Sequence, residues 1–171
     1  EKRFGASTIT QQVIKNISGD NEVTVSRKIS EMIRAYHIES KYTKDDILEV
    51  YLNIIPLSEN FIGVGAASKY YFNKEPKDIN INEAAYLAGM IKAPNRYDAY
   101  KNIELANERK NKVLYEMKEL KYITNNEYES YIKIHIDKLI SKGFVNKSSM
   151  YLNSYIDYLF ASSKDNNNIS E

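Results

Sequence analysis

The chain has 171 residues, 43% hydrophobic and 27% charged, with a formal net charge of +1. That supports one domain with a real core and excludes two full ones. The near-neutral balance excludes the broad basic field of a duplex-DNA binder, so no nucleic-acid partner is expected. Having no cysteine, the chain has no disulfide or thiolate metal site. No apolar run approaches the ~20 residues that cross a bilayer, and the first residues lack a signal-peptide pattern. A structured motif begins almost at Glu1, which suggests the interior of a longer protein. Tyrosine is frequent (15, against no tryptophan); its commoner use is as a core or rim residue with one wet end.

Helical periodicity dominates in chain order, and no stretch alternates convincingly with period two. Ser7 can cap a first helix to about Ile17, broken by Ser18-Gly19-Asp20-Asn21. A second helix starts near Thr24–Ser26 and runs to about Lys41, with Ile29, Met32, Ile33 and Tyr36 as its apolar stripe. Thr43 with Asp46 forms a capping-box start for a third helix that buries Ile47, Leu48, Tyr51, Leu52 and Ile55 and stops at Pro56. Residues 57–65 are a loop carrying Gly63 and Gly65, followed by a short helix to about Phe72 and a turn at Asn73–Pro76.

Asn82 is expected to cap "EAAYLAGMIK", an interior helix with small residues, and "APNRYDAY" is a loop. A long amphipathic helix covers about 103–121, with Ala106, Val113, Leu114, Met117 and Leu120 inward. Thr124 with Glu127 opens a helix to about Ile140. After Gly143, "SSMYLNSYIDYLF" is helical or extended, and "KDNNNISE" is a polar tail expected to be disordered. The fold class is mainly α. The expected organisation is a main lobe at 1–140, a linker segment at 141–163 and the tail at 164–171.

Two helical faces could carry chemistry. At about 100° per residue, Thr8, Gln12 and Lys15 fall within about 60° of one another, opposite Ile9, Val13 and Ile17. They offer a hydroxyl, an amide and an ammonium; a plain solvated face is the competing explanation. On the second helix Arg27, Glu31 and Arg34 share a face, with Lys28 on its shoulder. Arg27 and Lys28 lie in or near the first turn, the unfavourable end for cations unless an anion binds there. Glu31 between Arg27 and Arg34 should stay ionised and hold them in place. The rival is a surface ion-pair ladder worth a few tenths of a kcal/mol per pair. His37 and His135 lie far apart along the chain, which disfavours a metal site.

Five ordered segments carry a resemblance: "GASTITQQVIKN" (5–16), "RKISEMIRAYHIE" (27–39), "ILEVYLNIIP" (47–56), "AASKYYFNKEP" (66–76) and "EAAYLAGMIKAPNRYDAY" (83–100). The series closely resembles motifs two to five of glycosyltransferase family 51. These are the peptidoglycan glycosyltransferase domains of class A penicillin-binding proteins and their monofunctional relatives. The likeness covers about residues 5–130. It implies a lysozyme-like helical lobe with a partial jaw region, and polymerisation of lipid II with release of undecaprenyl pyrophosphate.

The resemblance also implies roles. Gln12, Lys15, Arg27 and Lys28 match positions lining the pyrophosphate, Ser7 and Thr8 match hydroxyls near the donor, and Asn53 matches a position beside the cleft. Glu31 matches the second glutamate of the family's site, whose implied role is to organise those cations or a divalent metal, Mg or Mn. Implied partners are lipid II, the growing glycan strand, the membrane surface through an N-terminal anchor, and a C-terminal transpeptidase domain. The implied location is the outer face of the bacterial cytoplasmic membrane.

Departures qualify this. The first motif, whose glutamate is the family's general base, is absent from these residues, so the fragment is expected to be inactive. Ala6 replaces a frequent Gly, Val23 stands where many relatives place Arg, and Ser58 where a Gly often follows "YLN". Asn73 replaces the Gly of a "YFGK"-like turn, and Asn is the next best residue there for positive φ. Two rivals remain. One is a non-catalytic helical module that binds lipid II or a cell-wall partner. The other is a lysozyme-like hydrolase, disfavoured by the Lys/Arg cluster.

Overall fold

The computed structural model describes residues 7–19, 24–58 and 61–141. The chain divides into two compact units between Ile55 and Pro56. Helices dominate both, as the sequence predicts.

The first unit holds α1 (Ile9–Ser18), α2 (Val25–Glu39) and α3 (Lys44–Ile54), with α1 packed against both others. Thr8, not Ser7, caps α1: its hydroxyl accepts from the Gln11 N–H while the Gln11 side chain accepts from the Thr8 N–H. The helix ends at Gly19, whose φ of 64° suits a residue without Cβ. α1 turns Thr10, Val13 and Ile14 inward and leaves Ile9 and Ile17 exposed. The capping box of α3 forms as expected between Thr43 and Asp46, but only Ile47 and Tyr51 of α3 are buried, followed by Ile55; Leu48 and Leu52 face solvent.

α2 departs most from expectation. Its apolar stripe, Ile29, Met32, Ile33 and Tyr36, is 54–80% exposed, and the residues it buries are Glu31 and Ala35. The polar face can turn inward because the buried carboxylate is neutralised along its own helix by Arg27 and Lys28. Ala35 one turn on adds no bulk to that face.

The second unit begins with a two-stranded antiparallel ladder, β1 (Pro56–Ser58) and β2 (Phe61–Ile62), where a loop was expected. Strands this short cannot display a period of two. α4 (Gly63–Phe72) follows and ends on Asn73 at φ 54°, the left-handed cap that this Asn predicts. A 3-10 turn at Pro76–Asp78 leads to α5 (Ile81–Met90). Its cap is Asn80, because the capping box needs Glu83 three residues on; Asn82 is buried instead. After turns through "APNRYDAY", α6 (Ile103–Glu119) lies along α5. A Cβ on Gly89 would come within 3.0 Å of the Arg109 side chain, so glycine permits this approach.

α7 (Asn125–Tyr131) opens on the expected Thr124–Glu127 box but ends well before Ile140. Tertiary bonds take over the next backbone groups: the Ile134 carbonyl accepts from Lys110, and the Ile136 N–H donates to Asn107 at 3.1 Å. Leu120, expected inward, is exposed just past the end of α6, whereas Ala106 and Leu114 are buried as expected.

The core of this unit is aromatic. Tyr71 meets Phe61, Tyr70 and Tyr86 edge-on, and its hydroxyl donates to Asp98 at 3.0 Å. Ser141 closes the described part, its N–H reaching the Tyr71 carbonyl and its carbonyl accepting from the Tyr100 hydroxyl. The expected linker and tail beyond it lie outside the described residues.

Candidate functional site

The chemistry gathers on the inward face of α2. Thr24 caps that helix by accepting from the Arg27 N–H at 3.2 Å. This fixes the helical phase, so residues 27, 28 and 31 meet by the spacing of neighbouring turns. Glu31, 6% exposed, pairs through Oε1 with Arg27 and through Oε2 with Lys28 at 2.9 Å. The hydrogen bond from Lys28 is the foremost cause holding its carboxyl below the usual range; both cations' charges add to it, and burial opposes.

Lys28 is the hub. Its ammonium also donates to Ser7 Oγ at 2.9 Å and to Gln11 Oε1 at 3.2 Å, 21 and 17 residues away. The start of α1 and the first turn of α2 therefore form one polar cluster. On the other flank of Glu31 lies a cavity of about 250 Å³ whose lining includes Ser18, Ser26, Ser30, Arg27, Glu31 and Arg34.

The sequence-derived candidates separate accordingly. Ser7, Arg27, Lys28 and Glu31 come together. Thr8 spends its hydroxyl on the helix cap. Gln12 accepts from the Tyr51 hydroxyl at 3.3 Å, toward α3. Lys15 is exposed in the last turn of α1, where a cation favours the helix dipole. Asn53 is exposed and donates to the Glu49 carbonyl of its own helix. Neither Gln12, Lys15 nor Asn53 lines the cavity. Of the two adjacent amides, Gln11 is the one that reaches the cluster. Its place three residues after the Thr8 cap was the signal that could have singled it out.

A carboxylate held by two cations is a poor general base, since its pKa lies far below neutrality. Glu31 instead fixes where Arg27 and Lys28 sit, so the face presents ordered positive charge suited to an anion. A divalent metal does not fit at this point: both Glu31 oxygens are already taken by cations that would repel it.

The transglycosylase family model matches residues 1–118. Penicillin-binding protein 1A of Vibrio cholerae is 47% identical over 126 residues, covering 74% of this chain and 15% of that protein. Its Streptococcus oralis namesake is 42% identical over 156 residues, covering 89% and 24%. The crystal structure of penicillin-binding protein 1A from Haemophilus influenzae aligns with 81% of this chain and 16% of its own, at 27% identity and a TM-score of 0.51. The chain thus spans between about a seventh and a quarter of the length of these relatives.

Proposed function

The chain belongs to the transglycosylase family, and from that premise we propose that its first helices grip the pyrophosphate of lipid II. The domain to which they belong would polymerise lipid II into glycan strands with release of undecaprenyl pyrophosphate, at the outer face of the cytoplasmic membrane. The observation that carries this reading is the buried Glu31 with Arg27 and Lys28 fixed on its two oxygens. Such preordered cations stabilise the charge that develops on a departing pyrophosphate, without reorganising when it departs. Ser7 and Gln11, both held by Lys28, lie where sugar or phosphate oxygens would be met.

Gln12, Lys15 and Asn53, which lie away from this cluster, are proposed as further contacts to the extended lipid-linked substrate. Glu31 is a positioning group in this scheme. The family's general base belongs to the first motif, which is not among these residues, so residues 1–171 alone bind substrate without turning it over. None of the described helices is long and apolar enough to cross a membrane.

The test is lipid II binding and polymer formation by residues 1–171. Binding should be saturable and weakened about tenfold or more by Lys28→Gln, the loss expected for a charge-assisted hydrogen bond to phosphate. No polymer should appear. Binding indifferent to Lys28→Gln would overturn the assignment of the pyrophosphate to this face. Polymer at the rate of the complete enzyme would overturn the account of the missing base.

A further inference from the structure

Three successive residues at the start of α1 reach three different places. Thr10 donates its hydroxyl to Glu39 Oε1 at 2.5 Å, Gln11 Oε1 accepts from Lys28 at 3.2 Å, and Gln12 Oε1 accepts from the Tyr51 hydroxyl at 3.3 Å. Successive helical side chains diverge by about 100°, so bonds from three in a row fix the helix's rotation as well as its position. The Thr10 bond is the shortest of the three, and Thr10 is 3% exposed. A helical threonine commonly returns its hydroxyl to a carbonyl of the preceding turn. Thr10 instead reaches 29 residues along the chain.

The acceptor is placed against its own helix. Glu39 is the last residue of α2, where the dipole disfavours an anion. Its second oxygen pairs at 2.8 Å with Lys44, the first residue of α3, where the dipole disfavours a cation. Each charge thus weakens its own helix, and the ion pair returns little because the Lys44 side chain is 75% exposed. The hydrogen bond from Lys44, then that from Thr10, holds the Glu39 carboxyl below the usual range, with burial opposing, so it stays an ionised acceptor. One carboxylate joins α1, α2 and α3.

We propose that Glu39 is a positioning residue for the anion cluster: through Thr10 it sets the rotation of α1 that lays Ser7 and Gln11 on the Lys28 ammonium. Residues 28 and 39 lie about 16 Å apart along α2, so the influence of one on the other passes through α1. Gln11 follows Thr10 directly and Ser7 precedes it by less than a turn, so a first turn released at Thr10 carries both away from Lys28. The role for this geometry in substrate binding rests on the pyrophosphate assignment above; the geometry itself does not.

The test is a double-mutant cycle on lipid II binding by residues 1–171, using Lys28→Gln and Thr10→Val, which keeps the shape and deletes the hydroxyl. Thr10→Val should weaken binding about five- to tenfold alone, and about twofold or less once Lys28→Gln has removed the cluster. Thr10→Ser, which keeps the hydroxyl, should restore binding to within about twofold of the parent. A tie that only stabilises the fold would give losses that multiply in the double variant. That result overturns the proposal, as does binding unchanged by Thr10→Val. If circular dichroism shows that Thr10→Val does not fold, Glu39→Ala cuts the same bond from its water-exposed end and should give the same cycle. Binding indifferent to Lys28→Gln would overturn the pyrophosphate assignment alone, and the ligand-free protein then decides. There the side-chain amide resonance of Gln11 should shift in Thr10→Val and return in Thr10→Ser; a resonance unmoved by Thr10→Val overturns the positioning role.

Discussion

The two units handle amphipathic helices in opposite ways. In the unit after Pro56, apolar faces turn inward: Tyr71, Tyr86, Met90, Leu114 and Ile136 are wholly or almost wholly buried, and the charged residues that go with them are tied to fixed partners. In the unit before it, α2 buries its acid and an alanine and turns its apolar stripe outward. A helical period thus reveals that a helix has two faces without revealing which one the core receives. Hydrophobic burial, at roughly 25 cal/mol per Å², decides the matter in the second unit. In the first, a neutralised Glu31 makes burial of the polar face tolerable, and that face carries the candidate site.

The largest stability effect should come from the apolar core. Leu114 is fully buried between α5 and the segment at Ile123, and Leu114→Ala should cost about 2–5 kcal/mol. The check is denaturant unfolding followed by near-ultraviolet circular dichroism, since the aromatic cluster of Phe61, Tyr71, Tyr86 and Tyr100 reports on this unit. A loss under 1 kcal/mol would mean that this core is far looser than its packing.

Glu31→Gln should show the contrasting signature. The amide cannot hold two cations in place, so Arg27, Lys28 and Arg34 repel one another and lose their register on the anion. In the complete enzyme, kcat should fall about 10²–10³-fold, the scale seen when one preorganised electrostatic group is removed. Stability should fall by only about 1–2 kcal/mol, because Arg27 and Lys28 keep partial access to water. Activity and melting temperature declining together across Gln, Asp and Ala variants would mark a structural ion pair instead.

How much of this was legible in the sequence follows the range of each interaction. The Thr43–Asp46 and Thr124–Glu127 boxes are confined to four residues, and both were readable. So was the Arg27–Glu31 pairing, an i,i+4 contact. The bond from Lys28 to Ser7 spans 21 residues and depends on how α1 meets α2, so no local pattern announces it. The early end of α7 is of the same kind: its sequence continues helically, but Lys110 and Asn107 capture the backbone. Asn80 was missed because Asn82 is also a good cap type, and only the position of Glu83 separates them.

Lys110 gives a pH test confined to the second unit. It is fully buried, and among the described residues its ammonium donates to neutral oxygens, those of Asn82 and the Ile134 carbonyl. Burial pushes its pKa down from 10.5 to about 8. Between those values the unfolded chain binds more protons than the folded one, so stability rises with pH, by about 1–3 kcal/mol. Tyr71 and Tyr86 act the other way. Burial pushes both hydroxyls up, so above about pH 10 the unfolded chain alone loses those protons and stability falls. Unfolding midpoints should therefore peak between about pH 9 and 10, and Lys110→Met should flatten the rise while keeping the fall. A stability that declines steadily from pH 8 would show that Lys110 stays charged in the fold.

The smallest effect should come from the stripe that looks most like a core. Ile33 is 66% exposed on α2, one of four apolar residues within about 100° of one another on that helix. Were the stripe packed, removing it would resemble a cavity mutation, at about 2 kcal/mol or more. Exposed, Ile33→Gln trades a β-branched residue for a slightly better helix former, and stability should change by no more than about 0.5 kcal/mol. Solubility should rise, because a contiguous apolar patch is shortened. The measurement is far-ultraviolet circular dichroism through urea denaturation, which follows the helices of both units. A loss of 2 kcal/mol would place Ile33 inside a packed interface and reverse the contrast between the units. A negligible change alongside the Glu31→Gln phenotype would leave the polar face as the side of α2 that both the fold and the chemistry use.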